Sequence, residues 1–279
     1  MAEGGLLLVH AHPDDEVFAT GGTIARAIAE GRRVDLVVCT GGEEGEIHDP
    51  DLDPAEAAAR LGEIRRAELE CSLAALGGGA IRLHWLGYRD SGMMGTPPND
   101  NPRAFWQAAP ADAGARVAAI IAEARPAAVV TYNDFGGYGH PDHIQAHRAA
   151  AAGWTASGTD ARWYEITFSG QRWAEGFAAM KERGISLPWG QDEEAEEEQE
   201  DRPNPFADTP ITTRVDVTPW LAAKHAAGVC HRTQRQDFGW AIDLPDDLWA
   251  LIGGQESFVR RSSPGGDALL DLEEAWLFD

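Results

Sequence analysis

Apolar positions along the chain fall into short unbroken runs separated by stretches of helical period. Residues 5–10 read GLLLVH, a run suited to a strand buried on both faces of a parallel sheet. The following GGTIARAIAEG carries Ile24 and Ile28 at helical spacing and stops at Gly31. VDLVVCT (34–40) predicts a second strand, and residues 54–76 a long helix ending at the glycines 77–79. IRLHWLG (81–87) predicts a third strand, 112–125 a helix that stops before Pro126, and AAVVTY (127–132) a fourth strand. The stretch HPDHIQAHRAAAAG is again helical. Such alternation predicts an α/β fold, doubly wound, with a mostly parallel sheet, helices on both faces and right-handed crossovers.

Beyond residue 153 the alternation weakens. RWYEITFSG (162–170) predicts a strand, and VTPWLAAKHAAGVCHRTQ (217–234) a helix with Pro219 in its first turn. The run QDEEAEEEQED (191–201) reads as a solvated, mobile loop. The expected organisation is a doubly wound core over 1–152 that carries the site and a C-terminal part over 153–279. That second part completes the fold as a smaller lobe and shapes the cleft at the strand ends.

Composition narrows the partners. No stretch of about 18 apolar residues occurs, so no membrane span is expected. The first strand starts almost at once, without the basic-then-apolar leader of a secretory signal. Cys39, Cys71 and Cys230 have no CxxC spacing, so they are expected as buried thiols in a reducing cytoplasm rather than as disulfides or thiolate metal ligands. A formal net charge of −23 argues against nucleic-acid and anionic-membrane partners, which need a basic face. A homo-oligomer is left open.

Two near-echoes carry the chemistry: AHPDDE at 11–16 and GHPDHIQAH at 139–147. Together they offer His12, Asp14, Asp15, Glu16, His140, Asp142, His143 and His147. Imidazole and carboxylate are ligands that a borderline cation such as Zn²⁺ accepts. Each cluster lies just beyond the C-terminal end of a predicted strand, where open α/β sheets place their ligand sites. His12 and Asp15, three apart where the chain turns into a helix, can converge on a metal, and His143 or His140 is the third donor. Asp14 is then the base that takes a proton from water, and the remaining HPDH histidine stabilises an oxyanion or protonates a leaving group. Asp142 is expected to pair with that imidazolium and raise its pKa. No GxGxxG follows the first strand, so a dinucleotide site is not expected.

With TGGEEGE at 40–46, RDSGM at 89–93 and GGYGHPDH at 136–143, these motifs resemble the LmbE/PIG-L family of zinc-dependent N-acetylglucosaminyl deacetylases. Within it they are similar to the mycothiol-pathway branch of deacetylases and S-conjugate amidases. The similarity covers roughly residues 5–152, with a fainter echo in KHAAGVCHRTQ. It implies a Rossmann-like fold and one zinc, or Fe²⁺ or another divalent ion, on His12, Asp15 and His143. It also implies a base at Asp14, an oxyanion-stabilising or acid His140 oriented by Asp142, and a mobile Tyr138. Arg65, Asp90 and Glu46 would contact a small amino-sugar substrate. The implied reaction removes an N-acetyl group from an N-acetylglucosamine-containing molecule. Alternatives are cleavage of a larger N-acyl group from glucosaminyl thiol conjugates, or non-catalytic sugar or metal binding.

The residues alone also permit plainer roles. Arg65 in EIRRAELE is spaced for a helix-surface ion pair with Glu68, and Asp90 and Ser91 before Gly92 are ordinary turn formers. His10 and His48 read as structural, and His147 as core packing or support for the site. Of the ten tryptophans, Trp85, Trp106 and Trp240 are the candidates for an apolar wall against an aglycone.

Overall fold

β1 (Gly5–His10) and β2 (Val34–Thr40) are buried at every residue, as strands covered on both faces must be. The computed structural model describes residues 4–185 and 209–279; the acidic run 191–201 lies outside the described residues. One seven-stranded sheet runs through them in the order β3-β2-β1-β4-β5-β7-β6, with β3 (Ile81–Tyr88), β4 (Pro126–Thr131) and β5 (Arg162–Thr167) parallel to the first two strands. Leu6 of β1 lies opposite Val34 on one side and Ala128 on the other. β7 (Gln255–Arg261) and β6 (Thr213–Asp216) close the far edge in antiparallel pairing.

The strand order reverses at β1, so right-handed crossovers place the helices before and after the reversal on opposite faces. α2 (Gly21–Ala29) and α4 (Leu61–Gly77) follow β1 and β2 on one face. α5 (Pro110–Ala124) and α7 (Pro141–Ser157) pack together on the other. Two short helices complete the first half, α1 (Asp15–Phe18) and α3 (Pro54–Ala58), along with the one-turn α6 (Gly136–Gly139). The second half adds α8 (Gly170–Glu182), α9 (Leu221–Cys230), α10 (Arg235–Ile242) and α11 (Asp246–Gly253).

Two expectations need correction. The helix over 54–76 is divided into α3 and α4, with Arg60 at φ −123° between them. β6, β7 and α8 do not stand out in the sequence. In β7 the buried Glu256 interrupts the apolar pattern because it pairs with the buried Lys224 at 2.9 Å. Cys71 and Cys230 are joined in a disulfide, because α4 and α9 lie side by side although the cysteines are 159 residues apart. The cysteine argument for a reducing compartment therefore falls, and only Cys39 remains a buried free thiol.

Candidate metal centre and cleft

The chain leaves β1 over Ala11, whose N–H donates to the Tyr132 hydroxyl at 2.9 Å. Two residues on from His12, Asp14 adopts φ 108°, a conformation that costs on the order of 1–3 kcal/mol outside glycine and persists only when its surroundings enforce it. Several contacts do so. The Asp14 N–H donates to Glu16 Oε2 at 2.9 Å, the Asp14 carbonyl accepts from Val17, and Arg65 donates to the Pro13 carbonyl at 2.6 Å. Asp15 folds back so that its Oδ2 accepts the His12 N–H at 2.8 Å.

The loop after β4 is shaped by glycine. Gly136 has φ 70°, and a Cβ there would lie 2.7 Å from the Ile144 nitrogen. This close approach lets the Gly136 carbonyl accept from His143 Nδ1 at 3.2 Å. Tyr132 stacks on the His143 ring, centroids 4.2 Å apart. Pro141 opens α7, and His140 caps it, its Nδ1 accepting the Asp142 N–H at 3.1 Å.

Lying beside each other at the β1/β4 switch point, the two loops bring their donors together. The rings of His12, His140 and His143 have centroids 4.7–5.3 Å apart, and one nitrogen from each lies within 4.8 Å of the others. Asp15 reaches between two of them, with Oδ2 3.5 Å from His12 Nδ1 and Oδ1 3.4 Å from His143 Nε2. Because His143 Nδ1 donates to Gly136, its Nε2 carries a lone pair, and that atom is buried without a hydrogen-bond partner. A bare imidazole nitrogen facing a carboxylate oxygen in a buried place is an arrangement that a cation relieves. The His/Asp cluster can hold a metal ion.

Burial and the surrounding carboxylates set the charges in this cluster. Burial disfavours charge on His12, but Asp90, Asp142 and Asp15 outweigh it and hold its pKa well above the ordinary histidine value. Burial also opposes ionisation of Asp15, yet His143 and His12 keep its carboxyl well below the usual range. Burial pushes His143 and His140 down to about 4. Asp14 moves the other way: burial raises its carboxyl to about 7 against the pull of Arg65.

Around the cluster lies a cleft of about 810 Å³. Asp14, Arg65, Asp90 and Glu46 line it. So do Ile166, Phe168, Trp173, Phe177 and Trp240, with the Trp173 centroid 5.2 Å from Phe177 and 5.9 Å from Trp240. Tyr138 stands exposed at the mouth, its ring 5.0 Å from His143.

The residues expected to act as metal ligands, base, acid or sugar contacts line one cleft, save Asp142, which is fully buried behind His12. Its carboxylate accepts from Ser91 and lies 3.2 Å from His12 Nε2, so it pairs with His12, and at His140 its charge is outweighed by burial and by the neighbouring histidines, which leave that ring lowered and not raised. Arg65 is buried and turned away from Glu68, which instead accepts from Thr233 at 2.8 and 2.7 Å. Asp90 is buried and accepts from Gly92 and Glu44 N–H groups. Glu46 is largely exposed, beside His48. His10 bonds Thr20, and His147 bonds the Tyr132 carbonyl, below the ring that stacks on His143. Trp240 joins the cleft wall, whereas Trp85 and Trp106 stack with Arg66 and Arg148 elsewhere. Tyr132, Trp173 and Phe177 escape a reading by motif, with only the aromatic richness after 162 hinting at the last two, and Ser91, read as a turn former, donates to Asp142.

Residues 7–154 match the family described as PIG-L, GlcNAc-PI de-N-acetylase. The chain is 45% identical over 280 residues to a protein of Acidothermus cellulolyticus named 1D-myo-inositol 2-acetamido-2-deoxy-alpha-D-glucopyranoside deacetylase, covering 94% of this chain and 91% of that one. A protein of the same name from Thermobifida fusca is 39% identical over 95% of each chain. In fold, the chain is similar to N,N'-diacetylchitobiose deacetylase from Pyrococcus horikoshii, with a TM-score of 0.50 at 22% identity over 92% of this chain and 83% of the other. With that coverage, and with HPDD after β1 and HPDH after β4 lining one cleft, the chain belongs to the GlcNAc-PI de-N-acetylase (PIG-L) family.

Proposed function

We propose that this protein is a metal-dependent hydrolase that removes the N-acetyl group from an N-acetylglucosamine carried on a small polyol, such as the inositol in its relatives' name. The observation that supports it most directly is the bare His143 Nε2 facing Asp15 Oδ1 at 3.4 Å within the same cleft as Asp14. Zinc, one per chain, is the cofactor in this reading, with Fe²⁺ or another divalent ion as the alternative. His12, Asp15 and His143 would hold it and leave room for water and substrate. When bound, such a cation supplies Lewis acidity that polarises an acyl carbonyl and lowers the pKa of water.

The chain's own groups do the rest. Asp14, with its carboxyl raised to about 7, is the base that takes the proton from the attacking water. Since His140 Nδ1 accepts the Asp142 N–H, the proton of the neutral ring sits on Nε2. His140 therefore meets the developing oxyanion as a neutral donor, and Asp142 fixes that tautomer through its backbone. Tyr138, between Gly137 and Gly139 at φ 76° and 91°, closes over the same oxygen. Arg65, Asp90 and Glu46 contact the sugar, and residues 153–279 shape the cleft beyond it.

The aromatic wall of Phe168, Trp173, Phe177 and Trp240 favours a second reading, cleavage of a larger acyl group from glucosaminyl thiol conjugates by the same machinery. The deciding experiment measures acetate release from N-acetylglucosaminyl-inositol together with metal per chain. Metal-replete protein that releases no acetate from any N-acetylglucosamine glycoside would sink the deacetylase assignment.

A further inference from the structure

Behind the cleft lies a buried charged cluster that the proposed chemistry does not use. Glu16, Ser72 and His231 are each wholly shielded from solvent. Glu16 Oε1 accepts from Ser72 Oγ at 2.5 Å and lies 2.7 Å from His231 Nε2, while Oε2 accepts the Asp14 N–H at 2.9 Å. Ser72 is on α4 and His231 directly follows α9, and their neighbours Cys71 and Cys230 form the disulfide between those helices. Two elements far apart in sequence are thereby tied where they present donors to one carboxylate.

Core filling does not account for this arrangement. A buried carboxylate and imidazole are unfavourable unless paired, and apolar side chains of similar volume would pack there at least as well. What apolar side chains could not do is accept the Asp14 N–H. That N–H belongs to the residue at φ 108°, whose turn must be enforced from outside.

We infer that His231 is a positioning residue: through Glu16 it fixes the Asp14 backbone, and with it the direction in which the Asp14 carboxylate enters the cleft. The inference rests on the proposed role of Asp14 as the base. It assigns the C-terminal part of the chain a share in setting up catalysis as well as in lining the cleft.

The test is a double-mutant comparison of kcat, KM and metal content on an N-acetylglucosamine glycoside. His231→Ala should lower kcat about 10–100-fold, the range for small misplacements of a reacting group, with KM and metal per chain unchanged. His231→Gln, which keeps a donor, should recover part of the loss. In an Asp14→Asn background, neither substitution should lower kcat further. Hydrogen exchange over residues 11–18 should also quicken in His231→Ala. Equal fold losses in both backgrounds, or unchanged kcat and exchange, would overturn the inference. Should His231→Ala fail to fold, Ser72→Ala carries the same comparison: a loss confined to the Asp14 background supports the role, and equal losses or none overturn it. Asp14→Asn with undiminished kcat would show that the base assignment itself is wrong, and the inference would go with it.

Discussion

Arg65 reaches from α4 to the turn after β1, where one of its Nη atoms donates to the Pro13 carbonyl at 2.6 Å and lies 3.2 Å from Asp14 Oδ2. The other Nη donates to the Gly42 carbonyl at 2.9 Å. One buried guanidinium thus braces two loops at the strand ends and places a positive charge beside the carboxylate proposed as base.

That pairing makes a signed prediction. Burial raises the Asp14 carboxyl to about 7, and Arg65 is the largest influence pulling it down. Arg65→Ala should therefore move the Asp14 pKa higher still. A base works only when deprotonated, so the acid limb of kcat/KM against pH should shift to higher pH in Arg65→Ala. The shift should be smaller in Arg65→Lys, which keeps the charge but not the fork. An acid limb that stays in place would mean that it reports a group other than Asp14.

Metal binding separates ligand from base. His143→Ala should lose most of the bound metal, whereas Asp14→Asn should retain it and lose about 10²–10⁴-fold in turnover. His140 and Asp15 both stand close enough to His12 and His143 to serve as the remaining ligand. Metal content of Asp15→Asn and His140→Ala decides between them, with the loss expected in Asp15→Asn. Chelation should lower the melting temperature of the wild type and not that of His143→Ala, since only a ligand bound by the native state stabilises it.

Much of this was legible because it is local. The apolar runs ending at His10 and Tyr132 mark the two strands, and the HPD triplets behind them mark what sits at the switch point. The illegible parts are contacts across the fold. Arg65 and Glu68, three apart, look like a helix-surface pair, yet Arg65 turns to Pro13 and Glu68 to Thr233, 165 residues away. Glu16 meets His231 across 215 residues, and Cys71 meets Cys230 across 159. Helical and strand periodicity report which face a residue occupies, not which distant element covers that face.

Away from the cleft, Asp35 on β2 provides a check on the fold itself. It is buried, accepts from Arg33 at 2.6 and 2.9 Å, and lies 2.9 Å from His84 Nε2. Burial disfavours its charge, but His84 and Arg33 hold its carboxyl below the ordinary value. Its contribution is therefore fully present above the unfolded aspartate pKa and is lost as pH falls through the lower folded one. Asp35→Asn should cost about 1–3 kcal/mol in denaturant unfolding at pH 7, and the gap to wild type should narrow in acid. A gap independent of pH would mean that shape, not charge, matters there.

The aromatic wall bears on substrate class. Trp173, Phe177 and Trp240 pack against one another, and all three line the same cleft as Asp90 and Arg65. A sugar with a polyol needs directional hydrogen bonds, which the Asp90 side offers, and gains little from a shelf of rings. An apolar substituent gains roughly 25 cal/mol for each Å² of apolar surface it buries. Trp173→Ala should therefore leave turnover of N-acetylglucosaminyl-inositol within about threefold, a loss of less than 1 kcal/mol. If conjugates are substrates, the same change should raise KM for a glucosaminyl conjugate with an aromatic thiol substituent about tenfold or more, a cost in the range measured for stacked aromatic contacts plus their buried area. Asp90→Ala should show no such preference and weaken both substrates alike through the shared sugar. Equal losses on the two substrates in Trp173→Ala would make the wall a part of the fold alone. A wild-type protein that turned over the conjugate far faster than the acetylated glycoside would make the amidase reading the correct one and leave the metal cluster and Asp14 in the same roles.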